Sequence, residues 1–129
     1  MPEMPLTKVL LVEDHEELWT FLSRRLRRRG FDVVLAHDGA QALVQVGAET
    51  PDVMLLDMDL PIMDGWTVAR TLRGQSDQTP IIALTAHAMT GDRAKALQAG
   101  CDEYHTKPVD FDLLLQQMDD VLLRREEAS

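Results

Sequence analysis

The stretch that decides the fold is Val53-Met54-Leu55-Leu56-Asp57-Met58-Asp59-Leu60-Pro61-Ile62-Met63-Asp64-Gly65. It opens with an apolar run, which is typical of a strand that is buried on both faces. The run delivers one acid, Asp57, and then breaks into a loop marked by Pro61 and Gly65. We therefore expect a carboxylate at the carboxyl end of a buried strand, where an open parallel sheet binds its ligands.

Three other runs lead to polar side chains in the same way. They are Val9–Val12, which leads to Glu13 and Asp14, Ile81–Leu84, which leads to Thr85, and the short run 102–106, which leads to Lys107.

Apolar runs and helical patterns alternate along the chain. The pattern predicts strands at about 7–12, 32–36, 52–57, 80–85 and 102–106, and helices at about 15–29, 39–48, 65–73, 90–99 and 110–124. Strict alternation means a parallel sheet with helices on both faces. We expect the 129 residues to form one domain, 1–129, with a core of about 6–124 and no output domain.

The composition restricts the class of protein. The 22 acids outweigh the 13 bases and give a net charge of −9, which disfavours nucleic-acid binding because that binding depends on neutralising phosphates. The single cysteine, Cys101, excludes an internal disulfide. The chain has no long apolar segment and no signal-peptide pattern, so we expect a soluble, cytoplasmic protein without a membrane partner.

One basic cluster interrupts the acidic background. Residues 24–29 read Arg-Arg-Leu-Arg-Arg-Arg, and Gly30 follows them. Cations complement the dipole at the end of a helix and glycine is a common stop signal, so a helix end accounts for the cluster. A basic docking patch for an acidic partner is the other interpretation, and the sequence leaves both open.

The polar residues after the strands form a constellation with a chemical meaning. Glu13, Asp14 and Asp57 converge at one edge of the sheet, where three carboxylates repel one another. A divalent cation relieves this repulsion, and an all-oxygen ligand set favours Mg²⁺, with Mn²⁺ as a second choice. Lys107 adds a positive charge and Thr85 a hydroxyl. Such a site suits a phosphoryl group, for which Asp57 can itself be the nucleophile.

In these residues the sequence resembles the receiver domain of response regulators in two-component signalling, over essentially its whole length. The resemblance is carried by elements that follow in order: Val12-Glu13-Asp14, Leu56-Asp57, Leu60-Pro61 with Met63-Asp64-Gly65, Leu84-Thr85-Ala86, Tyr104 and Lys107-Pro108. It implies a flavodoxin-like α/β fold, a doubly wound five-stranded parallel sheet in the order 2-1-3-4-5 with five helices.

The resemblance implies a role for each residue of the phosphoryl site. Asp57 would accept the phosphoryl group, with Thr85 and Lys107 as the other catalytic residues. Tyr104 would act with Thr85 as a switch. The peptide bond between Lys107 and Pro108 would be cis.

The resemblance also implies how the metal is held. Asp14, Asp57 and the main-chain carbonyl of Asp59 would be ligands of Mg²⁺, with Glu13 acting through water. Asp59 stands two residues after the acceptor, and His87 stands two residues after Thr85. Such positions tune the attack of water in this family, so the lifetime of the phosphorylated form stays open.

The partner implied by the resemblance is a sensor histidine kinase or a histidine phosphotransfer protein. The donor must approach Asp57 in line, so we expect it to dock on His15, Leu18 and Leu22 of the first helix and on the loop at Pro108. A downstream protein or a second copy of the chain would bind the face of the fourth helix, fifth strand and fifth helix. The protein would be a phosphoacceptor switch rather than a conventional turnover enzyme.

Two alternatives belong to other classes of protein. The spacing of Asp57 and Asp59 matches the paired aspartates of haloacid-dehalogenase-type phosphatases, and hydrolysis of a generic phosphate ester would distinguish that function. A pseudo-receiver that binds partners without phosphorylation is the other alternative, and the complete set of acids, Asp57, Thr85 and Lys107 argues against it.

Overall fold

The structure is a computed structural model that describes residues 6–86 and 91–128. Strands and helices alternate through these residues, as the sequence predicted. The strands are β1 Lys8–Val12, β2 Asp32–Ala36, β3 Val53–Asp57, β4 Ile81–Thr85 and β5 Glu103–Thr106. The helices are α1 Glu16–Arg28, α2 Gly39–Glu49, α3 Gly65–Gly74, α4 Asp92–Ala99 and α5 Phe111–Ala128.

The strands form one five-stranded sheet in the order β2-β1-β3-β4-β5, and every neighbouring pair is parallel. This confirms the predicted flavodoxin-like topology. The register places Val12 beside Leu56, Asp57 beside Leu84, and Thr85 beside Thr106. The carboxyl ends of the central strands therefore lie together at one edge. None of the helices within residues 6–86 and 91–128 is long and apolar enough to cross a membrane.

Alternate residues of each strand enter two separate cores, because successive side chains of a strand point to opposite faces. Leu10 and Leu56 belong to a core that is shared with α2, α3 and α4. Leu11 and Leu55 belong to a second core, which is shared with α1 and α5. Since both faces are covered, the central strands carry continuous apolar runs, which is why the sequence reveals them.

Acidic residues begin three of the helices. The Asp38 carboxylate accepts a hydrogen bond from the Gln41 N–H at 2.8 Å, and the Asp64 carboxylate accepts one from the Thr67 N–H at 2.8 Å. Asp110 accepts one from the N–H of Leu113 at 3.2 Å. Each carboxylate satisfies an N–H that the start of its helix leaves free.

The predicted end of α5 is four residues too early, because the helix continues to Ala128. Residues 124–127 read Arg-Arg-Glu-Glu, which are good helix formers and carry no stop signal. The guanidinium of Arg125 also donates to the main-chain carbonyl of Asp52 at 3.1 Å, which ties this turn to the loop before β3. The predicted start of α4 at residue 90 lies outside the described residues.

Arg73 joins the end of α3 to three other parts of the chain. Its guanidinium donates to the main-chain carbonyls of Asp77, Thr79 and Gly100 at 2.8 to 2.9 Å. It also donates to the carboxylate of Asp102 at 3.0 Å, and the same carboxylate oxygen accepts the N–H of Ile81. One side chain thus fixes the entry to β4 and the turn between α4 and β5.

Arg73→Ala is expected to lower the free energy of unfolding by roughly 2–3 kcal/mol, because three carbonyls and a carboxylate lose their donor together. Urea denaturation of the two proteins measures the difference. Arg70→Ala is the matched control, since Arg70 is exposed on the same helix and its loss should cost less than ~0.5 kcal/mol. Equal losses in the two variants would show that the Arg73 contacts do not stabilise the fold.

Candidate functional site

Backbone hydrogen bonds align the residues that follow the strands. The N–H of Met58 donates to the carbonyl of Leu84 at 2.9 Å, and the N–H of Lys107 donates to the carbonyl of Thr85 at 2.7 Å. These bonds continue the sheet just past its strand ends. They hold the loops after β3 and β5 against β4, so Asp57 and Lys107 are presented at the same edge.

Four titratable side chains crowd this edge. Ligand atoms of Glu13, Asp14, His15 and Asp57 all lie within 4.8 Å of one another. Glu13 and Asp57 are almost fully buried, with exposures of 0% and 1%. The predicted convergence of Glu13, Asp14 and Asp57 is therefore observed, and three carboxylates share one small region.

Lys107 is the cation that faces this acidic cluster. Its ammonium lies 2.8 Å from Glu13 Oε1 and 3.5 Å from Asp57 Oδ2. The imidazole Nδ1 of His15 lies 3.0 Å from the other oxygen of Glu13. Both oxygens of Glu13 are thus engaged, and Lys107 is nearer to Glu13 than to Asp57.

The Asp57 carboxylate has two oxygens in different surroundings. Oδ1 accepts a hydrogen bond from the N–H of Asp59 at 3.0 Å. Oδ2 is buried and accepts no hydrogen bond from the described residues, and the same is true of Asp14 Oδ1. Buried oxygens without donors are costly, but they are suitable ligands for a hard cation. Asp14 Oδ1 and the Asp57 carboxylate therefore fit a Mg²⁺ ion that leaves one Asp57 oxygen open.

Burial and charge alter the protonation of these groups. Burial raises the pKa of Asp57 to about 6, and the nearby charge of Glu13 raises it further. The hydrogen bond from the Asp59 N–H acts in the opposite direction and lowers the pKa. Burial also works to raise the pKa of Glu13, but hydrogen bonds from Lys107 and His15 outweigh it and the pKa falls. Burial opposes the charge of Lys107, yet Glu13 and Asp57 raise its pKa. At neutral pH the cluster is charged.

Gly65 lets the loop return close to the acceptor strand. A Cβ atom at this position would lie 2.6 Å from the main-chain oxygen of Asp57 and 2.7 Å from the Cα of Met58. The N–H of Gly65 donates to the carbonyl of Met58 at 3.1 Å. The glycine of the Asp64-Gly65 pair is therefore required by space, and it places the start of α3 directly beside the site.

The residues predicted to act as a switch lie on neighbouring strands. Thr85 is buried at the end of β4, whereas Tyr104 is partly exposed on β5 and pairs with Ala83. Burial and the charge of Asp92 raise the pKa of the Tyr104 hydroxyl. The peptide bond between Lys107 and Pro108 is cis, as the resemblance to receiver domains implied. His87 lies outside the described residues.

Comparison with known proteins agrees with this geometry. Residues 9–119 match the family described as the response regulator receiver domain. The chain belongs to this family. The haloacid-dehalogenase interpretation is therefore set aside.

Relatives and solved structures support the same family. Response regulator MprA of Mycobacterium tuberculosis is 41% identical over 118 residues, which cover 92% of this chain and 51% of the relative. MprA of Mycobacterium ulcerans is 40% identical, with coverages of 92% and 50%. The chain thus spans about half the length of these curated relatives.

Two solved receiver domains are similar along nearly their whole length. The receiver domain of the Francisella response regulator 1452 has a TM-score of 0.88 at 31% identity and covers 92% of this chain and 98% of that one. The receiver domain of the Pseudomonas aeruginosa sensor histidine kinase PA1611 has a TM-score of 0.83 at 37% identity, with the same coverages. The latter structure has a magnesium ion coordinated in its active-site cleft.

The receiver fold exposes only part of the predicted docking surface. The His15 side chain is 69% exposed, Leu18 is half-buried, and Pro108 is exposed. Leu22 is a correction, because it is completely buried in the core between the sheet, α1 and α5. Leu18 and Leu22 are four residues apart and lie on one apolar face of α1, which enters the core at Leu22. The sequence alone does not show at which residue this face becomes buried.

Ile62 is a residue beside the receiver site that sequence reasoning missed. It is 84% exposed, and its φ of 70° lies in the left-handed region, which a β-branched residue rarely adopts. An exposed apolar side chain and a strained backbone both cost free energy. The conformation of Ile62 therefore does not stabilise the fold. The Pro-Ile-Met-Asp sequence signalled a loop but not this conformation.

Asp57→Asn is expected to stabilise the metal-free receiver at neutral pH. The folded pKa of Asp57 is about 6, whereas an ordinary aspartate titrates near 3.8, so the folded state holds a proton that the unfolded chain has lost between these values. Wild-type stability should fall as the pH rises through this window, and the variant should lack that loss. We expect the variant to be more stable by roughly 3 kcal/mol at pH 7, and equal to the wild type below about pH 4.

Chemical denaturation in buffer with a chelator measures this effect. It is repeated from pH 3.5 to pH 8, a range that spans the ordinary and the raised pKa of Asp57. Asp59→Asn is the control, because Asp59 is exposed. A stability difference for Asp57→Asn that does not change with pH would contradict the assignment of a raised pKa to the buried acceptor.

Proposed function

We propose that this receiver domain accepts a phosphoryl group on Asp57 from a histidine kinase or a histidine phosphotransfer protein, and that phosphorylation changes its protein-binding surface. The family supplies the setting, which is two-component signalling through a response regulator. The observation that carries the proposal is the buried Asp57 Oδ2, which accepts no hydrogen bond from the described residues and lies 3.5 Å from the Lys107 ammonium.

Asp57 is suited to act as the nucleophile. Its Oδ1 is held by the N–H of Asp59, which fixes the plane of the carboxylate and leaves Oδ2 directed into the site. In the proposed transfer, Oδ2 forms a bond to phosphorus while the bond from phosphorus to the donor imidazole nitrogen breaks. The bonding electron pair stays on that nitrogen, and the imidazole leaves as a neutral ring because its other nitrogen already carries a proton; the product on Asp57 is an acyl phosphate.

Lys107 neutralises charge as the phosphoryl group arrives. In the unphosphorylated protein its ammonium is shared between Glu13 at 2.8 Å and Asp57 at 3.5 Å. An incoming phosphoryl oxygen on Asp57 Oδ2 adds a stronger acceptor on the Asp57 side. We propose that Lys107 then turns from Glu13 towards the phosphoryl group, which stabilises the charge where it develops.

The acidic residues would hold a divalent cation. Asp14, Asp57 and the main-chain carbonyl of Asp59 are the proposed ligands, with Glu13 acting through water. Mg²⁺ suits this oxygen set and Mn²⁺ is also acceptable. When bound, the cation would offset the repulsion among the carboxylates and neutralise phosphoryl oxygens. The magnesium ion in the cleft of the Pseudomonas aeruginosa receiver domain supports this part of the proposal.

The switch would connect Thr85 and Tyr104 to the face formed by α4, β5 and α5. A phosphoryl oxygen gives the Thr85 hydroxyl a new acceptor, and movement of Thr85 leaves room for the Tyr104 ring. The result is a shift between two states of the domain. A downstream protein or a second copy would bind this face, which includes exposed Leu97 and Leu123. The domain would thus act as a switch in the cytoplasm and not as a turnover enzyme.

Docking of the donor would use the site end of α1. His15 and Pro108 are exposed there, Leu18 is half-buried beside them, and Ile62 lies in the loop after the acceptor strand. The donor histidine must reach Asp57, so its carrier must cover this end of the sheet. An amphipathic helix of the donor can place apolar residues against Leu18, while Leu22 remains inside the receiver.

Asp57→Asn should abolish acid-labile phosphorylation by acetyl phosphate and Mg²⁺, because the amide is not a nucleophile. Intact-protein mass spectrometry reads the addition of one phosphoryl group. Asp59→Asn is the matched control, since it removes a neighbouring exposed carboxylate and keeps the main-chain carbonyl. Undiminished labelling of Asp57→Asn would place the acceptor elsewhere.

Beryllofluoride, which mimics the acyl phosphate, should shift amide resonances across β4, β5 and the first turn of α4 in the wild type. Thr85→Ala should retain shifts close to Asp57 but lose those around Tyr104, because the hydroxyl that responds to the phosphoryl oxygen is missing. Two-dimensional NMR measures both sets. Identical shifts around Tyr104 in the two proteins would exclude Thr85 from the switch.

A further inference from the structure

His105 is a buried polar side chain between β5 and α5. It is 2% exposed, and its register partner on β4 is Leu84, which belongs to the second apolar core. Burial of an imidazole costs free energy unless its ring nitrogens find hydrogen-bond partners. An apolar side chain would fill the same position without that cost, so the contacts of the two nitrogens distinguish His105 from an ordinary core residue.

Both nitrogens of the His105 ring have partners. The main-chain N–H of Asp110 donates to Nε2 at 3.1 Å, so the ring proton is on Nδ1, which donates to Gln117 Oε1 at 2.8 Å. The amide of Gln117 is itself oriented, because its nitrogen donates to the main-chain carbonyl of Tyr104 at 3.1 Å. These contacts admit one form of the imidazole, the neutral tautomer with its proton on Nδ1.

The contact with Asp110 holds one end of the loop that carries Lys107. At the other end of this loop, the N–H of Lys107 donates to the main-chain carbonyl of Thr85 at 2.7 Å. Pro108 lies between these two points and has no N–H to donate. The imidazole of His105 is therefore the anchor of the loop where it enters α5.

The Lys107 ammonium depends on this loop for its position. It stands at the end of a long side chain, 2.8 Å from Glu13 Oε1 and 3.5 Å from Asp57 Oδ2. A group that stabilises charge as it develops must be placed accurately, and a misplacement of about 1 Å can slow a reaction by roughly a hundredfold. A shift of the main chain between Lys107 and Asp110 would move the ammonium by a comparable distance.

We propose that His105 is a positioning residue for phosphoryl transfer, because its neutral imidazole fixes the loop that presents Lys107 to Asp57. The inference rests on the proposed function, since the step that it affects is transfer to Asp57. His105 acts through the main chain of Asp110, and Lys107 is the residue that meets the reacting oxygens. A histidine that served only the packing of α5 would leave the rate of transfer unchanged.

The tautomer of His105 is the first measurement. Long-range proton–nitrogen correlation spectra of the wild type at neutral pH should show a protonated Nδ1 and an unprotonated Nε2. A protonated Nε2 would overturn the proposal, because that nitrogen could not then accept the N–H of Asp110.

Hydrogen exchange tests the loop without any phosphorylation. In His105→Leu, the amides of Lys107 and Asp110 should exchange about tenfold faster than in the wild type, because the loop has lost its anchor. His105→Gln should restore most of the protection, since its amide oxygen can accept the N–H of Asp110 in place of Nε2. Equal exchange of the Lys107 amide in the wild type and His105→Leu would overturn the proposal.

The rate of labelling by acetyl phosphate with Mg²⁺ tests the consequence for the chemistry. His105→Leu should lower this rate about tenfold, and His105→Gln should recover most of it. Arg73→Ala is the matched control, because it should destabilise the fold at the amino ends of β4 and β5, away from Asp57, and leave the rate unchanged. An equal loss in Arg73→Ala and His105→Leu would assign the effect to stability and overturn the proposal, as would a glutamine variant as slow as the leucine variant.

The outcomes separate this proposal from the proposed function. If acetyl phosphate labels the wild type and His105→Leu at the same rate, Asp57 remains the proposed acceptor and the role of His105 is overturned. If the wild type is not labelled at Asp57, the proposed function fails. The tautomer and the exchange of the Lys107 amide then decide by themselves whether His105 fixes the loop.

Discussion

The ion pair between Lys107 and Glu13 is the interaction on which the chemistry of this site depends. It joins the end of β5 to the end of β1 across 94 residues of sequence, at a distance of 2.8 Å. Glu13 has no exposed surface. A buried carboxylate without a partner would lower the free energy of unfolding by an amount on the order of several kcal/mol. Because the Lys107 ammonium is bound to Glu13, it lies farther from Asp57. One oxygen of Asp57 therefore accepts no hydrogen bond from the described residues.

The same arrangement explains why the site costs stability. Three carboxylates face one ammonium, and burial raises the pKa of Asp57 to about 6. The fold can bear this because the apolar cores on the two faces of the sheet are complete, from Leu10 and Leu56 on one face to Leu11 and Leu55 on the other. A divalent cation bound among these carboxylates would relieve the excess of negative charge.

Those features that follow from local rules could be predicted from the sequence. Strands covered on both faces must be apolar throughout, so β1, β3 and β4 appear as continuous runs, and parallel strands must bring Glu13 and Asp57 to one edge. Features that depend on packing could not be predicted in this way. Whether Leu22 is exposed depends on how α1 rests on the second core, and the φ of Ile62 depends on how the loop reaches Gly65.

Long side chains with distant partners were also hidden from the sequence. Arg73 reads as an ordinary helix residue, yet its partners lie as far along the chain as Asp102. His105, which is buried on β5, is similar. Its Nε2 accepts the N–H of Asp110, so its Nδ1 is the nitrogen that donates to Gln117 Oε1 at 2.8 Å. The cluster of arginines at 24–29 was visible in the sequence, but the contact between the guanidinium of Arg25 and the ring of Phe111 was not.

We propose that Asp57, whose pKa burial raises to about 6, would share its site with a magnesium ion. Calorimetric titration of Mg²⁺ in two buffers of different ionisation enthalpy measures the protons released on binding. With the pKa of Asp57 at about 6, we predict that at pH 6 the wild type releases about half a proton more than Asp57→Asn, and that at pH 8 the difference between the two proteins is almost zero. Magnesium binding with no proton release at pH 6, or with the same release in Asp57→Asn, would contradict the account.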